Sequence, residues 1–112
     1  MKTRHALALV AILGVAAAPT IAADANAGKT VFAVQCGLCH SAEANDGGGA
    51  QGPNLMGLLG RKAASSVAYS YSAALKRANL TWDHATLDRF LAAPTTVVPG
   101  SSMVVAVDKP AD

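Results

Sequence analysis

The sequence predicts an all-α domain with long loops, on three observations. Apolar residues recur at helical spacing over residues 24–37 and again over residues 83–92. No stretch alternates apolar and polar side chains over a useful strand length; residues 103–107 come nearest and are few. Residues 41–60 hold Gly47, Gly48, Gly49, Gly52, Gly57 and Gly60, a density that marks a loop.

The N-terminal stretch stands apart from this domain. Lys2, Arg4 and His5 form a basic head, an apolar run covers residues 6–18, and Pro19 leads into the small residues Ala22, Ala23 and Ala25. That layout is a secretory signal peptide, and the run is shorter than the about 20 residues a bilayer span needs. The expected division is a cleaved signal peptide over residues 1–23 and one domain over residues 24–112. Cleavage after Ala25 also fits the small-x-small pattern. From residue 24 onward seven basic residues balance seven acidic ones. Without a clustered basic face, nothing points to a nucleic-acid partner.

Within the domain, residues 24–37 read as a helix with Asp24 or Asn26 as its cap. Val31 with Val34, and Phe32 with Cys36, lie one turn apart on adjoining faces. Residues 73–78 form a short helix capped by Ser72. Residues 83–92 form another, with Asp83 as cap, Leu87, Phe90 and Leu91 on one face, and Pro94 just past the end. Residues 95–112 read as loop, with Pro99-Gly100 as a turn. The aromatic side chains are Phe32, Tyr69, Tyr71, Trp82 and Phe90. So small a domain needs a staple or a bound group to complete its core.

Cys36 and Cys39 are the two cysteines, and His40 follows directly. Cys-x-x-Cys-His is the sequence pattern of covalent heme attachment. Positions three and four apart on a helix end share a face, so both thiols and the imidazole meet one flat ligand. The thiols add to its vinyl groups as thioethers and His40 binds the iron. Three plainer readings compete. A disulfide at this spacing closes a tiny loop and stabilises little. A thioredoxin-like dithiol wants a strand-helix context that the pattern lacks. Half a zinc site wants a second Cys/His pair.

Ordered around this motif, the rest of the chain resembles the class I cytochromes c. Gly28-Lys29-Thr30-Val31-Phe32 is similar to that family's N-terminal helix. Gly52-Pro53-Asn54-Leu55 and Gly57-Leu58-Leu59-Gly60-Arg61 are similar to its heme-edge loop. Tyr69-Ser70-Tyr71-Ser72-Ala73-Ala74, Trp82, Leu87-x-x-Phe90-Leu91, Pro94 and Pro99-Gly100-Ser101-Ser102-Met103 follow in family order. The resemblance implies a small cytochrome c fold around one covalent heme c, with residues 24–112 as the cytochrome c domain. It implies metal ligation by His40 and Met103, with covalent attachment at Cys36 and Cys39. It implies that the Pro53 carbonyl accepts the His40 Nδ1 proton, that Tyr71 and Trp82 hydrogen-bond a propionate, and that Arg61 offsets its charge.

Each role has a plainer counterpart. Met56 is the rival iron ligand, Tyr69 and Trp82 are candidates for ordinary core, Arg61 for a solvated charge, and His84 for an exposed helix start. Two departures from the family pattern stand out. Phe90 takes the place of a tyrosine whose hydroxyl contacts the methionine sulfur. The chain also stops at Asp112, where relatives continue into a C-terminal helix packed on Gly28 and Phe32. Lys109-Pro110-Ala111-Asp112 resembles the beginning of that segment. The expected fold therefore has its C-terminal helix missing, with Phe32 and its neighbours facing water.

The function implied is electron transport by a single-heme, non-enzymatic carrier. It is a periplasmic monomer without stable membrane insertion, shuttling one electron at a time between redox partners such as an oxidase, reductase or dehydrogenase. Lys29, Lys62, Lys76, Arg77 and Lys109 are scattered rather than ringed, so partner binding is expected to depend weakly on salt. The alternatives are a weak peroxidase-like heme protein and a truncated, non-functional fragment.

Overall fold

Asp24 opens the fold: its carboxylate accepts the N–H groups of Asn26 at 2.9 Å and Ala27 at 3.2 Å. These bonds satisfy orphan donors of the first turn, and α1 (Ala25–Val31) begins there. The chain is described here from a computed structural model, for Gly14, Ala16, Ala17 and residues 23–107. The signal-peptide reading therefore rests mostly on residues outside the described ones, as does the expectation for Lys109 onward. Among the described residues, no helix is long and apolar enough to cross a membrane.

The helix expected over residues 24–37 is two elements. After Val31 it widens into a π-helix over Phe32–Cys36, closed by Gly37 N–H donating to Phe32 O at 2.8 Å. A π turn accommodates one extra residue and concentrates at functional sites. No residue of α1 is buried. Phe32, expected to face water, is half-buried, whereas Val34 and Leu38 are 78 % and 82 % exposed.

Ser72 accepts Leu75 N–H at 3.1 Å and starts α2 (Ala73–Ala78). Asn79 ends it in the left-handed conformation, φ 51°, which asparagine tolerates better than most residues. Leu80 to Trp82 then run back along Gly60 to Ala63. Gly60 N–H donates to Trp82 O, Trp82 N–H to Arg61 O, and Ala63 N–H to Leu80 O, at 2.7–2.9 Å. This short antiparallel pairing carries the one isolated bridge among the described residues, Lys62 with Thr81. It sets Arg61 beside Trp82.

Asp83 caps α3 (His84–Ala92) by accepting Thr86 N–H at 2.7 Å. Pro94 does end this helix, but residues 94–97 are not loop: Pro94–Val97 is a single helical turn, α4. Proline lacks the N–H that the first helical position leaves unpaired, and its fixed φ suits that position. Val98 to Ser101 form a turn closed by Ser101 N–H to Val98 O at 2.9 Å, with Gly100 at φ 89°. Proline followed by a positive-φ glycine is the type II arrangement. Residues 103–107, the one stretch with some alternation, form no strand. Val107 N–H ties them to Leu91 O at 2.8 Å.

Among the described residues, Trp82, Phe90 and Val98 form the buried hydrophobic core, with Pro94 also buried and the Trp82 and Phe90 rings 5.0 Å apart at 58°. Leu58, Leu75, Leu80, Leu87 and Met103 pack around them half-buried. Among the described residues this is a thin apolar core for a domain of this length, and Leu58, Leu75, Leu87 and Met103 of the half-buried shell line a cleft.

Candidate functional site

The cleft begins where the π-helix ends. Cys39 N–H and His40 N–H both donate to Cys36 O, at 3.0 and 2.9 Å. One carbonyl gathers the turn, so Cys36, Cys39 and His40 line the same cleft. Both cysteines are free thiols, and partial burial pushes the Cys36 thiol up from its ordinary value. Among the described residues, no three His, Cys, Asp or Glu side chains are placed to hold a metal ion, so the zinc alternative gains no support.

The glycine-rich segment, expected only to be loop, wraps this turn closely. Gln51 N–H donates to Cys39 O at 3.2 Å, and Gly49 N–H to Gly52 O at 3.1 Å. Gly52 is buried against the imidazole: a Cβ there would meet three His40 ring atoms at 2.4–2.9 Å. Pro53 O lies 2.9 Å from His40 Nδ1. A carbonyl only accepts, so Nδ1 is the donor, and in the neutral ring that leaves Nε2 as the nitrogen with the lone pair. Asp46 holds the loop from outside. Its carboxylate accepts the Ser41 hydroxyl, Asn54 Nδ2 at 2.6 Å and Gly48 N–H at 3.0 Å. The Ser41 hydroxyl, then Asn54, keep its carboxyl below the ordinary aspartate value. Sequence reasoning missed this clamp, although Asn45-Asp46-Gly47 is a turn signal.

Tyr69 and Tyr71 line the cleft as a T-shaped pair, centroids 4.9 Å apart at 72°. The Tyr69 hydroxyl donates to Gln51 O at 2.9 Å, which makes it more than ordinary core. The Tyr71 hydroxyl accepts Ser66 N–H at 3.3 Å. Arg61 reaches Asn54 O through Nη2 at 3.2 Å, while its Nε is buried with no partner. A buried, unmatched guanidinium donor costs about 1–3 kcal/mol unless an acceptor reaches it. Arg61 is thus half-buried in the cleft rather than a solvated charge.

Met103 lines the same cleft from the loop after α4, with Trp82, Leu87 and Phe90 beside it. Met56, the rival, is 53 % exposed and lies off the cleft. The cleft holds about 1080 Å³ of empty space, open mouth included, between mostly apolar walls. An open cleft with mostly apolar walls and a few convergent polar groups suits a flat, largely apolar ligand such as a porphyrin. Cys36, Cys39, His40, Pro53, Arg61, Tyr71, Trp82 and Met103 all line it. Two thiols and an imidazole, a thioether, apolar walls and one spare guanidinium donor form a set that fits a heme with its carboxylates.

A small helical fold closed on such a cleft defines a c-type heme protein. A scan against models of known families gives no match. The chain is 45 % identical over 84 residues to cytochrome c2 iso-2 of Magnetospirillum molischianum, covering 75 % of this chain and 80 % of that one. It is 42 % identical over 83 residues to cytochrome c of Guizotia abyssinica, covering 74 % of each. Among solved structures, cytochrome cH from Methylobacterium extorquens superposes with a TM-score of 0.67 at 42 % identity, over 79 % of this chain and 86 % of that one. The chain belongs to the class I cytochrome c family, whose members carry one covalently attached heme c and serve as electron carriers acting with redox partners.

Proposed function

We propose that this chain is an outer-sphere electron shuttle of the periplasm, with the heme joined to Cys36 and Cys39 and ligated by His40 and Met103. The observation that carries the reading is the sharing of one cleft by His40 and Met103, from segments far apart in sequence. The bound heme supplies a one-electron ferrous–ferric couple. Pro53 fixes the His40 tautomer and ring plane. The Met103 thioether, as a soft ligand, would favour the reduced state and raise the potential. Arg61, Tyr71 and Trp82, which line the cleft, would hold the carboxylates of the group. His40 and Met103 would be the two side chains that hold the iron, which would leave the group to exchange electrons rather than bind substrate.

The proposed export route begins with residues 1–23 as a cleaved signal peptide, and residues 24–112 form the carrier. The balance of seven basic and seven acidic residues from Asp24 onward supports brief, weakly salt-dependent docking of a monomer to membrane or periplasmic redox partners. Absorption and mass spectrometry of the exported protein test both parts. The expected product starts near Asp24, carries one heme, shows methionine–iron charge transfer when oxidised, and does not take up carbon monoxide when reduced. Ready carbon monoxide binding by the fresh protein would overturn the shuttle reading in favour of a reactive heme protein. Free thiols and a colourless product would overturn attachment.

A further inference from the structure

We propose that Ser101 is a positioning residue for Met103, a hydroxyl clasp that aims the thioether into the cleft. This rests on the reading of Met103 as an iron ligand. Ser101 is only 8 % exposed, and its side chain touches Met103 twice. Its Oγ donates to Met103 O at 3.1 Å and accepts Met103 N–H at 3.2 Å. Among the described residues, these are the hydrogen bonds of the Met103 backbone.

One oxygen thus grips both peptide planes that flank the Met103 Cα. Peptide units are planar, so pinning the N–H on one side and the C=O on the other fixes φ and ψ between them. That fixes the Cα–Cβ direction, and with it where the side chain goes. The clasp is itself anchored. Ser101 N–H donates to Val98 O at 2.9 Å across the Pro99-Gly100 turn, and Val98 is 2 % exposed in the core with Trp82 and Phe90. Beyond Met103 the chain has little to hold it. Val104 and Val105 are 68 % and 57 % exposed, and the next backbone tie is Val107 N–H to Leu91 O. Without the hydroxyl, Met103 would sit in a span with no backbone tie between Ser101 and Val107. Serine and threonine supply an oxygen that both donates and accepts; alanine supplies none.

The test uses the full heme-loaded protein and its Ser101→Ala and Ser101→Thr variants. The readout is the rate at which added imidazole displaces the native ligand from the oxidised protein, followed by loss of methionine–iron absorption. Ser101→Ala should raise that rate about tenfold, the size expected from losing about one net hydrogen bond. Ser101→Thr should stay within about twofold of the parent, since its oxygen remains. Asp83→Ala, which uncaps α3 away from this turn, serves as the general destabilisation control. It should lower the melting temperature while leaving the displacement rate nearer the parent's than Ser101→Ala does. An unchanged rate in Ser101→Ala overturns the clasp, and so does an equal rise in Asp83→Ala.

Amide exchange in the parent protein needs no variant to fold. Met103 N–H should exchange about tenfold or more slowly than Val104 N–H. Equal rates overturn the clasp. If the parent lacks methionine–iron absorption, the ligand reading fails, and the exchange comparison still decides the clasp by itself.

Discussion

His40 Nδ1 and the Pro53 carbonyl oxygen lie 2.9 Å apart, and the residue between the loop and the ring is Gly52. The contact links residues 13 apart in sequence and settles which ring nitrogen is free. It exists because Gly52 has no side chain. The Pro53 carbonyl comes within reach only by laying the Gly52 backbone flat against the imidazole.

Gly52→Ala should therefore disturb the site more than its size suggests. The new methyl would fall 2.4–2.9 Å from three ring atoms, so the ring or the loop must move. Overpacking of this kind costs about 1–3 kcal/mol. The expected result is a lower yield of heme-loaded protein, with a shifted His40 Nδ1 proton resonance and an altered midpoint potential. Gly47→Ala, in the same loop but facing open space, should change stability by no more than about 0.5 kcal/mol. Equal behaviour of the two variants would show that Gly52 is not what allows the contact.

Arg61 gives a prediction about potential. Its buried Nε lacks a partner while its Nη2 is engaged by Asn54 O. A guanidinium in the cleft favours the iron state of lower positive charge, the ferrous one. Arg61→Leu should then lower the midpoint potential by on the order of tens of millivolts, and Arg61→Lys by less, since the charge remains. Redox titration of the three proteins checks this. An unchanged potential in Arg61→Leu would mean that solvent or counterions screen the charge from the iron.

The sequence was informative where one residue type has one strong local reason to be where it is. Asp24, Ser72 and Asp83 cap the helices as their side chains dictate, and Pro99-Gly100 makes its turn. The attachment spacing and the ordered resemblance name Cys36, Cys39, His40 and Met103, and the structure places all four on the lining of one cleft. Helical periodicity did not disclose the π-helix over Phe32–Cys36, because one extra residue in a turn leaves no mark in an apolar pattern. The turn at Pro94–Val97 was hidden because proline ends one helix and starts another with the same ring. The Asp46 clamp, the Tyr69 bond to Gln51 and the Ser101 clasp are contacts of loops, where no period exists to read.

Acid should destabilise the fold through two of these carboxylates. The Thr86 backbone N–H, with its hydroxyl, holds the Asp83 carboxyl below its ordinary value, as Ser41 and Asn54 do for Asp46. Both folded pKa values are depressed, so the unfolded chain binds protons first as pH falls. The stability they contribute is fully present above about pH 5. It begins to go near the ordinary aspartate value of about 4 and is lost as pH falls through the lower folded values. Thermal melts across that range should show the parent falling steeply. Asp83→Asn keeps a capping oxygen without a titrating proton, so its acid limb should be shallower than the parent's. Identical limbs would exclude Asp83 as a source of the pH dependence.

Phe90 offers the sharpest test of how thin the core is. It is 5 % exposed, packs on Trp82 with ring centroids 5.0 Å apart, and lines the cleft. It therefore joins α3 to the Gly60–Trp82 pairing and also forms part of the wall beside Met103. Phe90→Ala removes one of the few buried apolar side chains among the described residues, for a cost of about 3–5 kcal/mol. Domains have only about 5–15 kcal/mol in hand, so the loss should be a large share of the total. Guanidinium unfolding of the heme-loaded protein should show a lower midpoint with a similar slope. Phe90→Leu keeps most of the buried area and should lose less than half as much. A loss below about 1 kcal/mol in Phe90→Ala would mean that the bound group, rather than the aromatic pair, holds α3 in place.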